Sequence, residues 1–441
     1  MKLGLSALAL GVWVTALGQS PAISSFSQNG ELVCTNLMPG SVATVLEAPT
    51  VTGPWTTNAA AVSVTSNGTF QLSGLVSQTG SKFYRVLVNE TNLSNDAWRA
   101  LQASRLEDNQ NYGRFLWTNT MAKIASGQNV KILLAGTGLV DMTPIGVFDQ
   151  VAFSLTNKFP IAGCMTTFLS WWGVVSTSGT LGSHLKDTNW FTYYGVMDAT
   201  DDWVIIRPGA QVPWNVLEVD YLEQPNGGLF AVLTNVVTTY GTYGPAFTIN
   251  TFNSVRSAKT FYWTNTMTLA GGIKVTNQTG TNVVLNYGIY NTNITGGVIL
   301  GKQAMPDSYV KNMLAVNSNT AAQVYATWSP DLILFQTVEP PTPVLTTNLP
   351  TWLKFYTNVV PNVDVVLCGE YPIYADNSGL NDCLRTNAIA LGMSYFDGYS
   401  PFQSFTNVCY PRGFLRALND VHYSAEGMMT YGYFLSSWLS L

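Results

Sequence analysis

The chain has 441 residues, which leaves room for about two or three domains and a sizeable hydrophobic core. Only 10 % of the residues are charged and the formal net charge is −5, so the sequence lacks the basic surface needed to bind nucleic acid or an anionic membrane. We therefore exclude nucleic acid as a partner.

Residues 1–20 have the pattern of a secretory signal peptide. Lys2 precedes an apolar run over residues 3–17, and small residues surround the end of that run. The run is shorter than the roughly 20 residues of a membrane-spanning helix. We expect cleavage near Gln19, bacterial export to the cell surface or the medium, and no membrane span after cleavage.

The cysteines and histidines do not form a metal-binding pattern. The chain has five cysteines, no CxxC pair and only two histidines, so we predict neither a metal site nor a cofactor. Export would permit disulfides, for which Cys383–Cys409 and Cys368–Cys383 are the candidate pairs, and the odd count leaves at least one thiol free.

Residues 21–92 predict a small N-terminal β-module. Short alternating runs at 32–34, 43–47 and 83–87 are separated by Gly, Pro and Asn, which is typical of antiparallel strands. Together with Gly53-Pro54-Trp55, these runs resemble the β-sandwich modules at the N-termini of secreted Verrucomicrobia-type proteins. The resemblance implies an accessory or surface-display role.

From residue 93 onward the pattern becomes that of an α/β domain. Apolar residues recur at helical spacing over 96–126, which predicts one or two helices. The apolar run 130–135 predicts a buried strand, and a helix over 147–155 and a further apolar stretch at 159–169 would complete a β-α-β opening.

Two short motifs resemble the SGNH/GDSL hydrolase family. Gly136-Thr137-Gly138-Leu139 follows the first strand as the family's first block does, and Asn419-Asp420-Val421-His422 with a later Gly427 resembles its last block. The resemblance implies a flavodoxin-like, three-layer α/β domain with a parallel sheet, divided here into residues 93–183 and 286–441.

Residues 184–285 lie between these two parts and consist of short strand and turn patterns. They predict an inserted β-sandwich domain, and segment 219–230 resembles an insert of SGNH proteins that act on, or lie beside, polysaccharides. Aromatic side chains there offer surfaces for stacking on sugar rings, although large aromatics more often fill a β-core. The predicted ligand-binding residues are Trp190, Tyr193, Tyr194, Trp203 and Trp214.

The family's catalytic residues are mostly missing. Acyl transfer in this fold needs a serine nucleophile, a histidine base, an orienting carboxylate and N–H donors for the oxyanion. The serine position holds Gly138 and the aspartate position before it holds Thr137. The oxyanion glycine maps to Gly301 or Lys302, and the asparagine of the third block to Val338, whose side chain donates no hydrogen bond.

The last block keeps His422 without its usual carboxylate. The aspartate position three residues earlier holds Asn419, and Asp420 lies one residue away from it. Because an isolated histidine in an exported protein is more often structural than catalytic, these residues indicate an SGNH-like protein whose esterase site has decayed. Such a protein would bind a polysaccharide or cell-surface glycan, or self-associate into an extracellular assembly.

Two alternatives remain open. In the first, the protein is an active carbohydrate O-acyl esterase or acyltransferase in which His422 works with Thr137, Thr143 or Ser424. It requires a hydroxyl within about 2.6–3.2 Å of the imidazole. In the second, the region 184–285 acts as a lectin-like module, which requires its aromatic residues to line one exposed face.

No other catalytic motif is present in the sequence. It contains no GxSxG elbow, no Walker-type phosphate loop and no HExxH helix. Asp198, Asp201 and Asp202 lie close together, but they lack the spacing of calcium ligands and indicate a solvated turn.

Overall fold

The computed structural model describes residues 22–27, 30–35, 37, 42–50, 54, 56–57, 62–64, 69–75, 82–89, 95–104, 106, 111–114, 116–137, 151, 155, 158–167, 174–177, 195–197, 199–200, 202–206, 213–236, 244–269, 271–305, 310–315, 318–337, 343–371, 378–402, 408–415 and 423–439. The chain forms two compact units, Met1–Gln110 and Asn111–Leu441.

The first unit contains two small antiparallel sheets. Alternation buries Leu32 and Cys34 of one sheet, and Ala43 and Val45 of the other, in a single core. The strands pair in the orders β1-β2-β6 and β4-β3-β5, and β7 also pairs with β3. The elements are β1 (Ala22–Phe26), β2 (Leu32–Thr35), β3 (Val42–Ala48), β4 (Thr56–Thr57), β5 (Val62–Ser63), β6 (Phe70–Leu72), β7 (Phe83–Asn89) and helix α1 (Asn95–Ser104).

The second unit is a mixed α/β structure built on a ten-stranded sheet. Its described strands are β8 (Val130–Thr137), β9 (Ile161–Thr167), β10 (Val174–Thr177), β11 (Gly195–Met197), β12 (Trp203–Ile206), β13 (Trp214–Glu223), β14 (Leu229–Val236), β15 (Ala246–Asn250), β16 (Ser257–Leu269), β17 (Gly272–Thr279), β18 (Asn282–Tyr290), β19 (Val298–Met305), β20 (Leu332–Gln336), β21 (Asp364–Cys368) and β22 (Ser394–Phe396).

Helices cover both faces of the parallel part of this sheet. They are α2 (Thr118–Ala125), α3 (Val310–Leu314), α4 (Ser318–Trp328), α5 (Pro343–Val359), α6 (Ser378–Leu391) and α7 (Ala425–Leu439). Helices α3 to α6 share one core with one face of the sheet, whereas α7 packs on the opposite face through Tyr431 and Trp438 against Phe396. None of the helices in the described ranges is both long enough and apolar enough to cross a membrane.

The parallel strands have a doubly wound order. Spatially they run β9-β19-β8-β20-β21-β22, and each neighbouring pair is parallel. If β8, β19, β20, β21 and β22 are counted in chain order, their spatial order is 2-1-3-4-5, which is that of flavodoxin-like sheets. The strand order therefore agrees with the α/β domain that the sequence predicts.

Antiparallel strands extend the sheet beyond β9. Strand β18 pairs antiparallel with β9 and with β13, and β13 pairs with β16 at the edge. A second, five-stranded sheet in the order β10-β12-β17-β14-β15 shares a core with this extension. Every residue of β18 is buried, because it lies between this core and the helix-side core.

The strands of residues 184–285 belong to both sheets. Strands β13 and β16 belong to the large sheet, while β12, β14, β15 and β17 belong to the second sheet. The predicted domain boundary at residue 285 falls inside β18, and the unit boundary at Gln110 lies beyond the predicted end of the N-terminal module at residue 92. The predicted division into an inserted domain stays a prediction, whereas the strand pairing joins this region to the central sheet.

The predicted disulfides are wrong. All five are buried free thiols, so neither Cys383–Cys409 nor Cys368–Cys383 is formed. Cys383 packs in the helix-side core, whereas Cys368 follows Leu367 of that core along β21 and therefore points to the opposite face. Burial raises the pKa of Cys409 to about 12, so this thiol stays protonated.

Helix α2 is anchored to the amino ends of β20 and β21 by two carboxylates. Asp364 accepts the backbone N–H of Thr120 at 2.7 Å and the side-chain amide of Asn119 at 3.2 Å. Asp331 pairs with Lys123 and accepts the backbone N–H of Lys131 at 2.8 Å. A carboxylate at the first turn also satisfies N–H groups that the helix leaves free.

We predict that Asp364→Ala lowers the free energy of unfolding by about 2–3 kcal/mol, because it leaves buried donors of α2 without an acceptor. Urea denaturation followed by circular dichroism measures this loss. The matched control is Asp382→Ala at an exposed position on α6, which should change stability by less than about 0.5 kcal/mol. Equal effects of the two substitutions would contradict the anchoring role of Asp364.

Candidate functional site

The doubly wound order indicates where a site is expected. In such sheets, ligands bind at the carboxyl ends of the strands, where the strand order reverses. Here that point lies between β8 and β20, where Gly136 pairs with Gln336. We therefore examined the side chains at the carboxyl ends of β8, β20 and the neighbouring β21.

The predicted catalytic residues are only partly described. Thr137 is the last residue of β8 and is therefore at this edge. Gly301 lies inside β19, paired with Leu133 and Met165, four residues before the strand ends at Met305. Its N–H group is thus part of the sheet interior and not of the edge where an oxyanion would form. The other predicted residues lie outside the described residues: Gly138, Val338, Asn419, Asp420 and His422.

The predicted sugar-stacking residues separate into two environments. Trp214 is only 1 % exposed, packs edge-on to Trp263 and donates its ring N–H to the carbonyl of Gly271 at 2.6 Å. Trp214 therefore fills a core, which corrects its predicted role in ligand binding. Trp203 is partly exposed, and the Lys274 ammonium lies 5.0 Å from its ring centre. Trp190, Tyr193 and Tyr194 lie outside the described residues.

Glu370 is a buried carboxyl group just beyond the carboxyl end of β21. It is 1 % exposed, and neither carboxyl oxygen has a hydrogen-bond partner among the described residues. Burial raises its pKa well above the usual value, and the N–H of Tyr371 offsets part of this rise without reaching hydrogen-bonding geometry. The protonated form, with one O–H donor and free acceptor capacity, is the stable one.

The backbone around Glu370 is held rigidly. The side-chain amide of Asn381 accepts the N–H of Glu370 at 2.6 Å and donates to its carbonyl at 3.0 Å. The hydroxyl of Tyr431 donates to the carbonyl of Gly369 at 2.6 Å. A Cβ on Gly398 would lie 2.1 Å from the Gly369 carbonyl oxygen, so this close approach of two backbones requires glycine there.

Aromatic rings surround this carboxyl group. Tyr371 and Tyr423 stack with ring centres 3.3 Å apart, and Phe402 lies 5.2 Å from Tyr423. Burial is the main cause that raises the pKa of both Tyr423 and Tyr431, and nearby Glu370 contributes to each. Tyr423 directly follows His422, the end of the last block, in the sequence.

A second unpaired polar group lies at the point where the strand order reverses. Gln336 is 1 % exposed, and its side-chain Nε2 has no hydrogen-bond acceptor in the described part of the chain. A buried amide donor is suited to bind a carbonyl, hydroxyl or anionic oxygen. Gln336 and Glu370 together supply donor and acceptor capacity that the fold itself leaves unused.

Sequence reasoning missed both residues as site candidates. Gln336 lies two residues before Val338, directly after an apolar run, and Glu370 follows an apolar run that predicts a strand. The available signal was the same in both cases, namely a polar residue at the carboxyl end of an otherwise apolar strand. That signal places the residue at the carboxyl edge of the sheet, but it does not show whether the side chain has a hydrogen-bond partner.

The described thiols at this edge are not reactive nucleophiles. Burial raises the pKa of Cys368, whose Sγ lies 3.8 Å from the carbonyl oxygen of Val366. A nucleophilic cysteine requires the opposite shift. Within the described ranges, no group of three or more His, Cys, Asp or Glu side chains is arranged to hold a metal ion. Asp202 is buried and accepts the Ala199 N–H at 3.0 Å, so it caps a turn.

No protein-family model matches the chain, and no curated protein matches it in sequence. Among solved structures, a peptidoglycan O-acetylesterase is similar with a TM-score of 0.53 and 11 % identity, over 74 % of this chain and 95 % of that one. A salicylyl-acyltransferase from a tetracycline biosynthetic pathway is matched with a TM-score of 0.26 and 10 % identity, over 62 % and 95 % of the chains. A family two carbohydrate esterase from Cellvibrio japonicus is matched with a TM-score of 0.20 and 10 % identity, over 49 % and 83 %.

The first of these similarities concerns the fold alone, because so few residues are identical. It agrees with the α/β fold that the sequence predicts, and it spans nearly the whole of the esterase structure. At their lower TM-scores, the other two structures do not bear on the fold.

We predict that Glu370 makes the protein less stable as pH rises. Because its pKa is raised in the folded state, the folded protein keeps a proton that the unfolded chain loses above about pH 4.3, so the unfolding free energy falls from there upward. The fall should be smaller in Glu370→Gln, which stays neutral. Chemical denaturation between pH 4 and pH 8 measures both slopes.

The control for this experiment is Asp382→Asn, at an exposed position on α6, which should keep the wild-type dependence on pH. If Glu370→Gln and the wild type lost stability in parallel over this range, Glu370 would not be held neutral by burial.

Proposed function

We propose that this chain is an exported, polysaccharide-associated protein of SGNH-like fold whose esterase site has lost its nucleophile and which acts by binding. Its partner would be an extracellular or cell-surface polysaccharide. This proposal combines the fold similarity with the chemistry available at the carboxyl edge of the sheet.

One observation carries the proposal. Strand β8 ends at Thr137, directly before position 138 of the sequence, where the family resemblance assigns the serine. Gly138 has no side chain. Loss of the nucleophile leaves only about 10³–10⁴-fold catalysis over water in a triad enzyme. A fold retained after this loss is better explained by binding than by turnover.

The second sheet offers a surface for binding. Val204 of β12 points into the core between the sheets, so its neighbour Trp203 lies on the other face of the strand, where it is partly exposed. Trp203 pairs across the strands with Thr276, and Lys274 lies over its ring. A partly exposed aromatic ring beside polar side chains is suited to stack on a sugar ring. Self-association, also expected from the composition, has no support beyond the sequence.

We expect no hydrolysis of p-nitrophenyl acetate by the purified mature chain. The wild type and His422→Ala should both match the buffer blank over a range of pH values, because the family's nucleophile position holds Gly138. Turnover in the wild type that disappears in His422→Ala would overturn the decayed-site proposal.

We also expect the wild type to co-sediment with at least one insoluble polysaccharide from a panel of peptidoglycan, xylan and cellulose. Trp203→Ala should lower the bound fraction, because stacking on a sugar ring requires the indole. Tyr410→Ala is the matched control, since Tyr410 is exposed in the same unit but outside the second sheet. Binding to none of the three, or equal binding by all variants, would contradict this role for Trp203.

The alternative function is an active carbohydrate O-acyl esterase with a rearranged site. It is favoured by the unpaired Glu370 and Gln336, since buried groups with perturbed pKa values are common at active sites. In that case, the hydrolysis assay would show turnover that falls in His422→Ala and changes its pH profile in Glu370→Gln.

A further inference from the structure

A cluster of buried oxygen-bearing side chains lies on the antiparallel extension of the central sheet. Glu218 and Asp220 are two residues apart on β13, so their side chains point to the same face, and each is 2 % exposed. Asp220 is paired across the strands with Thr260 of β16 and Asn286 of β18. Strands β18, β9 and β19 separate β13 from β8, so the cluster is distinct from the site at the β8–β20 edge.

The hydrogen bonds in this cluster leave two acceptors unused. The Tyr290 hydroxyl donates to Glu218 Oε2 at 2.9 Å, the Thr260 hydroxyl to Asp220 Oδ1 at 2.7 Å, and the Asn286 amide Nδ2 to Asp220 Oδ2 at 2.8 Å. The Tyr262 hydroxyl of β16, opposite Glu218, also interacts with the Glu218 carboxylate. In the described part of the chain, Glu218 Oε1 and Asn286 Oδ1 nevertheless have no hydrogen-bond donor. Asn286 is itself 1 % exposed, and its bond to Asp220 holds its amide beside the two carboxylates.

No described cation neutralises these carboxylates by a direct bond. The Lys131 ammonium lies 5.8 Å from the centre of the Tyr290 ring and donates to the carbonyl of Trp328 at 3.3 Å, and it acts on Asp220 only through its charge. Leaving a buried acceptor unpaired destabilises a fold, and more so when the group is charged. The arrangement is therefore suited to bind a cation.

The geometry of the cluster depends on a glycine. Gly288 lies opposite Glu218 on β18, and a Cβ at this position would come within 2.2 Å of the Tyr290 hydroxyl oxygen. The missing side chain lets the Tyr290 hydroxyl reach over the backbone to Glu218. The sheet thus positions Glu218 Oε2 by a hydrogen bond, whereas Glu218 Oε1 has no hydrogen-bond donor among the described residues.

We propose that Glu218, Asp220 and Asn286 form a binding site for a divalent calcium ion. The donor set contains only oxygen, from two carboxylates and one carboxamide, which is the chemistry that hard cations such as Ca²⁺ prefer. Water completes the coordination of Ca²⁺ where protein ligands are few. The site is independent of the proposed polysaccharide binding.

The test uses the full mature chain after treatment with a chelator. Isothermal titration calorimetry with CaCl₂ should give saturable binding, and Ca²⁺ should raise the melting temperature. Glu218→Gln should weaken binding by about 10-fold or more. The matched control is Glu223→Gln on the same strand, where the carboxylate accepts an amide N–H from Asn253 at 2.6 Å and lies outside the cluster. This control should bind Ca²⁺ as the wild type does.

Two results would overturn the proposal: no binding of Ca²⁺ by the wild type, or unchanged binding in Glu218→Gln. The first would mean that the carboxyl pair holds a proton in place of a cation, and the second that the ion binds elsewhere. If circular dichroism shows that Glu218→Gln does not fold, Asp220→Asn is judged by the same criteria. Tb³⁺ luminescence needs no variant: emission excited through nearby tyrosines should appear and be reversed by Ca²⁺, and its absence would count against the site.

Discussion

The parallel pairing of β8 on both sides is the constraint on which the second unit depends. Strand β8 lies between β19 and β20, and residues 132–136 are all buried because helices cover both faces of the sheet. A strand in this environment must be apolar along its length, and its backbone must be fully paired. Polar side chains are therefore excluded from the middle of these strands and appear where the strands begin or end.

The polar groups at the two ends of the parallel strands differ in their hydrogen bonding. At the amino ends, Asp331 and Asp364 accept N–H groups from β8 and α2, so these carboxylates satisfy backbone donors and anchor the helix. At the carboxyl ends, Gln336 and Glu370 have buried atoms that find no hydrogen-bond partner among the described residues, which lowers stability. The unpaired polar atoms described here lie at the carboxyl ends of the strands, which is where such folds bind ligands. Function explains their position better than packing does.

Much of the fold could be predicted from the sequence, because the long apolar run 130–135 marks a buried strand, and helical spacing marks α1 and α2. The pairing of β9 with β19 and β18, and not with β8, could not be predicted, because periodicity within a strand contains no information about its neighbours. The predicted pair Cys368–Cys383 is wrong for a related reason: alternation along β21 points Cys368 away from the helix-side core that contains Cys383. At the candidate site, Thr137 was predicted at the strand end, whereas Glu370 could be recognised only from its missing partner.

The antiparallel extension adds polar chemistry that the doubly wound sheet does not contain. Without it, β9 would be an edge strand with unpaired backbone groups, which folded proteins avoid. Strand β18 pairs with that edge, and the close packing of the two strands requires a glycine on β9: a Cβ on Gly163 would lie 2.9 Å from the Tyr290 ring. The hydroxyl of Tyr290 also donates to Glu218, so the residue that packs against β9 orients the Glu218 carboxylate as well. A buried Glu218 carboxylate with only one hydrogen-bonded oxygen destabilises the fold when no cation is bound. Binding of a cation offsets this loss of stability.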